Sequence, residues 1–292
     1  MTVRLKRQYP EHIPAIHPLP EFAVSGTRKE WYEDMKQVLQ VPWMGVVTMA
    51  YSHYPNFFET LWNGLRPICQ SKEFISACFD LRQHVESATE TLSPKNIIQD
   101  LQSLGYGTRE IQEIRDMNTI FSHGNQSYVI ISTITRYLME IGDISRNRIH
   151  TPNTDRHGPV FTTPFLLMEA HHVDQPTYEI YEDIKKVIGL PFVNTDYRAF
   201  ARWPTYWALA WKDLRQSIPA ADHESVCLSC HELATEFATS LPNPGKLVSE
   251  QLVEAAQADG SLDEVRQMCQ LFQWLLPGLI TNVAYLRHQL TE

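Results

Sequence analysis

Asp196 is the residue of this chain most in need of an explanation. It lies in Leu190-Pro191-Phe192-Val193-Asn194-Thr195-Asp196, with Phe200 and Trp203 just beyond, a largely apolar and aromatic stretch. A carboxylate buried in such surroundings carries a large desolvation cost unless it is paired or put to use. An ion pair with Arg198 or Arg202, a few residues along, is one resolution; chemistry is the other. Asn125 raises the same question inside an otherwise apolar helical run, His123-Gly124-Asn125-Gln126-Ser127-Tyr128. A buried Asn must find hydrogen-bond partners, and an interhelical bond would supply them. If both residues instead reach one water, the carboxylate accepts its proton and the amide orients it, which makes a hydrolytic pair.

Both residues stand out because the chain supplies its own control. Residues 30–66 align without a gap on 179–215 at an offset of 149, with 12 identities in 37 positions, among them Tyr32/Tyr181, Asp34/Asp183, Pro42/Pro191, Trp62/Trp211 and Arg66/Arg215. A second block pairs 111–138 with 262–289 at an offset of 151, including Met117/Met268, Phe121/Phe272 and Arg136/Arg287. Self-similarity at a fixed spacing marks a repeated structural unit. Positions alike in both copies are structural. Asp196 stands opposite Val47 and Asn125 opposite Leu276, so each copy carries one polar exception.

The elements that must hold these residues read as helices throughout. Thr27 and Glu30 have capping-box spacing before a periodic run to Leu39. Pro42 and Pro191 suit the first position of a new helix, and Pro55 and Pro204 each open another that carries Trp62 or Trp211. Residues 71–92 continue amphipathically, Ser93-Pro94 caps a short helix ending near Gly105, and 109–141 forms one long helix. No run alternates as a strand does. The expectation is an all-α fold of two pseudo-symmetric helical repeats packed around a central site. Residues 1–141 form the first repeat with a Pro-rich leader, 142–176 the inter-repeat linker, and 177–292 the second repeat.

Composition narrows the function classes. The 292 residues include 25 Lys and Arg against 34 Asp and Glu, a net charge of −9. That balance argues against nucleic acid or an anionic membrane as partner. No stretch has eighteen consecutive apolar residues, and Pro10 and Pro14 interrupt the basic N-terminal segment before any signal-like apolar run. Five cysteines in no framework spacing fit a reducing cytoplasm.

Three other motifs compete. Cys227-Leu228-Ser229-Cys230-His231 matches a c-type haem attachment sequence and would make the chain an electron carrier. His231-Glu232 lacks the second His of a zinc-protease helix, and Glu169, His171 and His172 lack the partners of a di-iron set, so no metal site is expected. A helical interaction scaffold without activity is the remaining alternative; it requires an exposed, ion-paired Asp196.

The stretch Leu190–Pro204, its echo at Val41-Pro42-Trp43-Met44-Gly45-Val46-Val47, and Asn125 with Tyr128 resemble the group I 2-haloacid dehalogenases, also called DL-2-haloacid dehalogenases. The likeness extends over nearly the whole chain, duplication included. It implies an all-helical homodimer that removes halide from carbon 2 of short 2-haloalkanoates of either hand, inverting configuration. It implies no cofactor and no covalent ester: an Asp activates water, which attacks carbon 2 directly. Carried over, Asp196 is the base and Asn125 positions the water. Tyr128, Trp43, Gly45 and Val46 from the first copy, with Asn194 and Thr195 from the second, line the substrate pocket and bind its carboxylate through backbone N–H groups. The family pattern has Ala at the positions of Gly45 and Asn194, Phe at Val46 and Ser at Thr195. Backbone donors survive such changes; pocket volume and polarity do not.

Overall fold

The computed structural model describes residues 5–144, 149–160 and 163–291. Among these are twelve α-helices and no strand: α1 (Gly26–Leu39), α2 (Val46–Tyr51), α3 (Pro55–Cys69), α4 (Lys72–Thr89), α5 (Ile98–Ser103), α6 (Thr108–Glu140), α7 (Gln175–Ile188), α8 (Thr195–Phe200), α9 (Pro204–Ser217), α10 (Ala221–Ser240), α11 (Ser249–Ala258) and α12 (Leu262–His288). No helix among the described residues is long and apolar enough to cross a membrane. The described part of the linker holds no regular helix before Gln175, where α7 begins two residues ahead of the expected boundary, and its residues 145–148 and 161–162 lie outside the described set.

Local chemistry sets the boundaries. Pro55 and Pro204 open α3 and α9, where a missing N–H costs nothing. Asp174 caps α7 by accepting from the Thr177 N–H at 3.0 Å. α1 and α7 both end on a left-handed residue, Gln40 (φ 52°) and Gly189 (φ 78°). Two sequence expectations fail here. No side chain caps α1, which begins at Gly26 after Ser25, so the Thr27–Glu30 box does not form. Pro42 and Pro191 lie in turns, and the helices that follow start at Val46 and Thr195. The three residues between proline and helix bring Gly45 and Asn194 to the N-cap positions.

The described residues group into two compact units, and neither is a sequence repeat. One unit comprises the residues up to Arg82, then His123–Gly158 and Ser229–Pro277; the other comprises Gln83–Ser122, Pro159–Leu228 and the residues from Gly278 onward. In the first unit α1 and α2 pack on α3, and α11, from the far end of the chain, covers α3 as well. The approach of that distant segment is close. A Cβ on Gly64 of α3 would meet the Leu247 side chain at 2.6 Å, and one on Gly245 would meet the Gly64 carbonyl oxygen at 2.3 Å. Asp259, just past α11, accepts from the backbone N–H groups of Asn56 (3.2 Å) and Phe57 (2.9 Å) in the first turn of α3. In the second unit α7 and α8 pack on α9. There Lys95 N donates to Asp213 of α9 at 3.0 Å, and the Tyr106 and Thr205 hydroxyls lie 2.6 Å apart.

α1–α3 of the first unit and α7–α9 of the second share one hydrogen-bond plan. Trp62 Nε1 donates to Asp34 at 2.8 Å, and Arg66 clasps the same carboxylate at 2.8 and 2.9 Å. In the other unit Trp211 donates to Asp183 at 2.8 Å, and Arg215 clasps it at 2.7 and 2.8 Å. Tyr32 donates its hydroxyl to the Leu19 carbonyl, and Tyr181 to that of Met168.

Candidate active site

In the second unit the turn after α7 delivers Asn194, Thr195 and Asp196 as the N-cap and first two residues of α8. All three are buried, Asp196 to 2 % exposure. The flanking arginines reach residues of the preceding segment and of α8 itself. Arg198 reaches Glu169 at 2.5 Å and Thr195 Oγ1 at 3.5 Å. Arg202 donates to the Pro164 carbonyl at 3.1 Å and lies over the Trp203 ring. A buried Asp196 departs from the exposed one that a scaffold requires. Asn194, 4 % exposed, has a side-chain oxygen that is buried and without a hydrogen-bond partner. The first turn of any α-helix leaves N–H groups without intrahelical acceptors, so this end of α8 offers donors to an anion.

In the first unit the matching turn presents Trp43 and Gly45 ahead of α2, which opens with Val46. The long helix α6 supplies Asn125 and Tyr128, both buried. Tyr128 donates its hydroxyl to the Trp43 carbonyl at 2.8 Å, and the two rings lie 6.0 Å apart. Burial pushes the Tyr128 phenol well above its ordinary pKa, so it stays protonated as a donor. Two glycines permit this packing. A Cβ on Gly45 would lie 2.9 Å from the Tyr128 ring, and one on Gly124 would lie 2.5 Å from the Trp43 ring. Trp43, Gly45, Val46, Asn125 and Tyr128 therefore belong to one unit, and Asn194, Thr195 and Asp196 to the other.

Sequence reasoning missed two features. The first unit contains a cavity of about 410 Å³ lined by Lys72, Phe74, Cys78, Arg82, His123 and His157 among others. Burial holds His123 down at about pKa 4 despite its bond to the Leu39 carbonyl, so it is neutral at pH 7. None of the eight predicted site residues lines this cavity, and we assign it no part in catalysis. The second feature is a chain of buried polar side chains in the second unit. His223 Nε2 and Asn282 Oδ1 are 2.7 Å apart, and Asn282 Nδ2 donates to the Tyr197 hydroxyl at 2.8 Å.

The haem-like motif lies within α10, and its members already have protein partners. Cys227 Sγ lies 3.5 Å from His223 Nδ1, while His231 meets the Leu5 carbonyl through Nε2 at 2.9 Å and Gln273 through Nδ1.

Comparison with known proteins fits this all-helical scaffold. No family model matches the chain. It is 41% identical over 251 residues to an (R)-2-haloacid dehalogenase of Rhizobium sp. (strain NHG3), an alignment spanning 86% of this chain and 97% of the relative. It is 30% identical over 282 residues to an (R)-2-haloacid dehalogenase of Pseudomonas putida, covering 94% and 92%. The solved structure of a D-2-haloacid dehalogenase in complex with L-LA matches with a TM-score of 0.89 at 29% identity, over 99% of this chain and 100% of that one. A mutant D-2-haloacid dehalogenase in complex with D-2-CPA also gives 0.89, at 28% identity. The chain belongs to the 2-haloacid dehalogenases, hydrolases that act on carbon–halide bonds.

Proposed function

We propose that the chain hydrolyses short 2-haloalkanoic acids to 2-hydroxy acids by direct attack of water on carbon 2. Asp196 takes a proton from the water that Asn125 orients. The water oxygen bonds to carbon 2 from the side opposite the halogen, the carbon–halogen bond breaks, and halide leaves with inversion. No ester to the enzyme forms and no cofactor takes part. Trp43, Gly45, Val46 and Tyr128 with Asn194 and Thr195 hold the substrate, its carboxylate against backbone N–H groups at the starts of α2 and α8. Fixing that anion on donors eases approach of a hydroxide-like nucleophile. The observation that carries this reading is the burial of the Asp196 carboxylate at the start of α8, between Thr195 and Tyr197, which are buried as well. We also propose a homodimer, which light scattering would test.

A water nucleophile is not tied to one face of carbon 2, which supports action on both enantiomers. A second reading is favoured by the names of the relatives at 41% and 30% identity, both (R)-2-haloacid dehalogenases. In that reading one hand is preferred, and the buried, unpartnered side-chain oxygen of Asn194 supplies a polar wall where the family pattern has Ala. Incubation with D- and L-2-chloropropanoate separately, following halide release, distinguishes the two. Halide from both supports the first reading, and halide from D alone the second. Asp196→Asn should lose activity by a factor on the order of 10³ or more. Halide from neither acid, across short 2-chloro and 2-bromo substrates, would sink the proposal.

A further inference from the structure

Beside Asp196, in the second unit, five buried polar side chains form a connected chain for which the reaction above has no use. Cys227 Sγ donates to Thr281 Oγ1 at 3.6 Å and lies 3.5 Å from His223 Nδ1. His223 Nε2 meets Asn282 Oδ1 at 2.7 Å, and Asn282 Nδ2 donates to the Tyr197 oxygen at 2.8 Å. An amide oxygen only accepts, so Nε2 carries a proton and donates to Asn282 Oδ1, which fixes the amide of Asn282 in turn. All five residues are buried, and Tyr197 is the residue that follows Asp196 on α8.

The half of the chain without the carboxylate lacks this network. At the offset of 149 that pairs Cys78 with Cys227, Phe74 stands opposite His223 and Thr48 opposite Tyr197. At the offset of 151, Ile131 stands opposite Asn282 and Ile130 opposite Thr281. A structural requirement of the fold would recur in both halves. Buried polar groups in series must be fully satisfied to be tolerated, so their presence in one half alone asks for a local reason. α8 supplies one. Its six residues make fewer than two turns, too short to hold themselves in place. Tyr197 stacks on Trp207 (5.5 Å) and tilts against Trp211 (6.1 Å), contacts that resist removal but permit rotation. The hydrogen bond from Asn282 is directional, and Asp196 is about 100° from Tyr197 around the helix axis. Pinning one residue sets the direction of the other.

We propose that Tyr197, Asn282 and His223 are positioning residues that set the orientation of the Asp196 carboxylate; this rests on Asp196 being the base. The test compares kcat and KM for halide release in Tyr197→Phe, His223→Leu, His223→Gln and Asp196→Asn. Tyr197→Phe keeps the ring packing and removes only the pinned hydroxyl. It should lower kcat roughly 10- to 100-fold, the scale of a slightly misplaced catalytic group, with KM within about 3-fold. His223→Leu should do the same, and His223→Gln, whose amide can still donate to Asn282, should recover most of the loss. A role in stability alone predicts a lower melting temperature in the His223 variants with kcat per folded molecule unchanged. Wild-type kcat in Tyr197→Phe, or failure of Gln to outperform Leu, beside an inactive Asp196→Asn, overturns the positioning role alone. Activity in Asp196→Asn overturns the base assignment.

Discussion

At the scale of single residues, the site is shaped as much by what is missing as by what is present. Gly45 has no Cβ, and the Tyr128 ring occupies the space a Cβ would need. Gly45→Ala therefore forces a ring or a backbone to move. Such overpacking costs about 1–3 kcal/mol, which lowers the melting temperature by several degrees in a chain of this size. A thermal melt of Gly45→Ala that overlays the wild type would refute the packing argument. The family pattern carries Ala here, so this chain positions its tyrosine against the first-half turn in its own way. The burial of Asp196 and Asn125 could be anticipated from the sequence because the offset alignment sets each against an apolar residue, Val47 or Leu276. His223 and Asn282 carried the same signal, opposite Phe74 and Ile131. They passed unnoticed because they lie far along the chain from Asp196 and match no motif.

At the scale of helices, regularity in the text became regularity in space where packing and local chemistry agreed. The starts of α3 and α9 at Pro55 and Pro204 follow from proline's missing donor, and the long α6 from its apolar period. The starts of α2 and α8 were misread. A proline suits a helix start and a turn alike, and only the fold settled which. α1–α3 fall at nearly the same bounds as α7–α9 at the offset of 149. The carboxylates that brace these helices should mark the protein's response to acid. The Arg66 hydrogen bond holds Asp34 below the usual carboxylate range against the opposing effect of burial. Burial pushes Asp183 upward, but the bonds from Arg215 and Trp211 outweigh it and leave it depressed. A depressed folded pKa gives stability that is present above the unfolded value of about 3.9 and is lost as pH falls through the folded value. Replacing both with Asn should lower the melting temperature at pH 7 and flatten its decline below about pH 4. An acid decline as steep as that of the wild type would count against this account.

At the scale of the whole molecule, the sequence predicts two repeats, and the compact units are exchanged versions of them. α11, from the second half, covers α3 in the first unit, and the segment around Lys95 to Tyr106, from the first half, meets α9 in the second. Periodicity and capping report on neighbours along the chain. They say nothing about which of two similar faces a helix will cover. Each half expressed alone, as residues 1–158 or 159–292, should therefore leave its α3 or α9 bare and show no cooperative melting. A sharp thermal transition in either fragment would contradict this arrangement.

The exchange also bears on how the protein is made. A ribosome delivers the chain from its N-terminus, yet the first unit needs Ser229–Pro277 and the second needs the residues from Gly278 onward. α1 to α3 emerge early, and their apolar faces wait through most of synthesis for a covering helix encoded near the end. The first unit can close only after Pro277 has emerged, and the second later still. The nascent chain thus passes through a long interval of exposed hydrophobic surface, in which sheltering by chaperones has its greatest effect on yield.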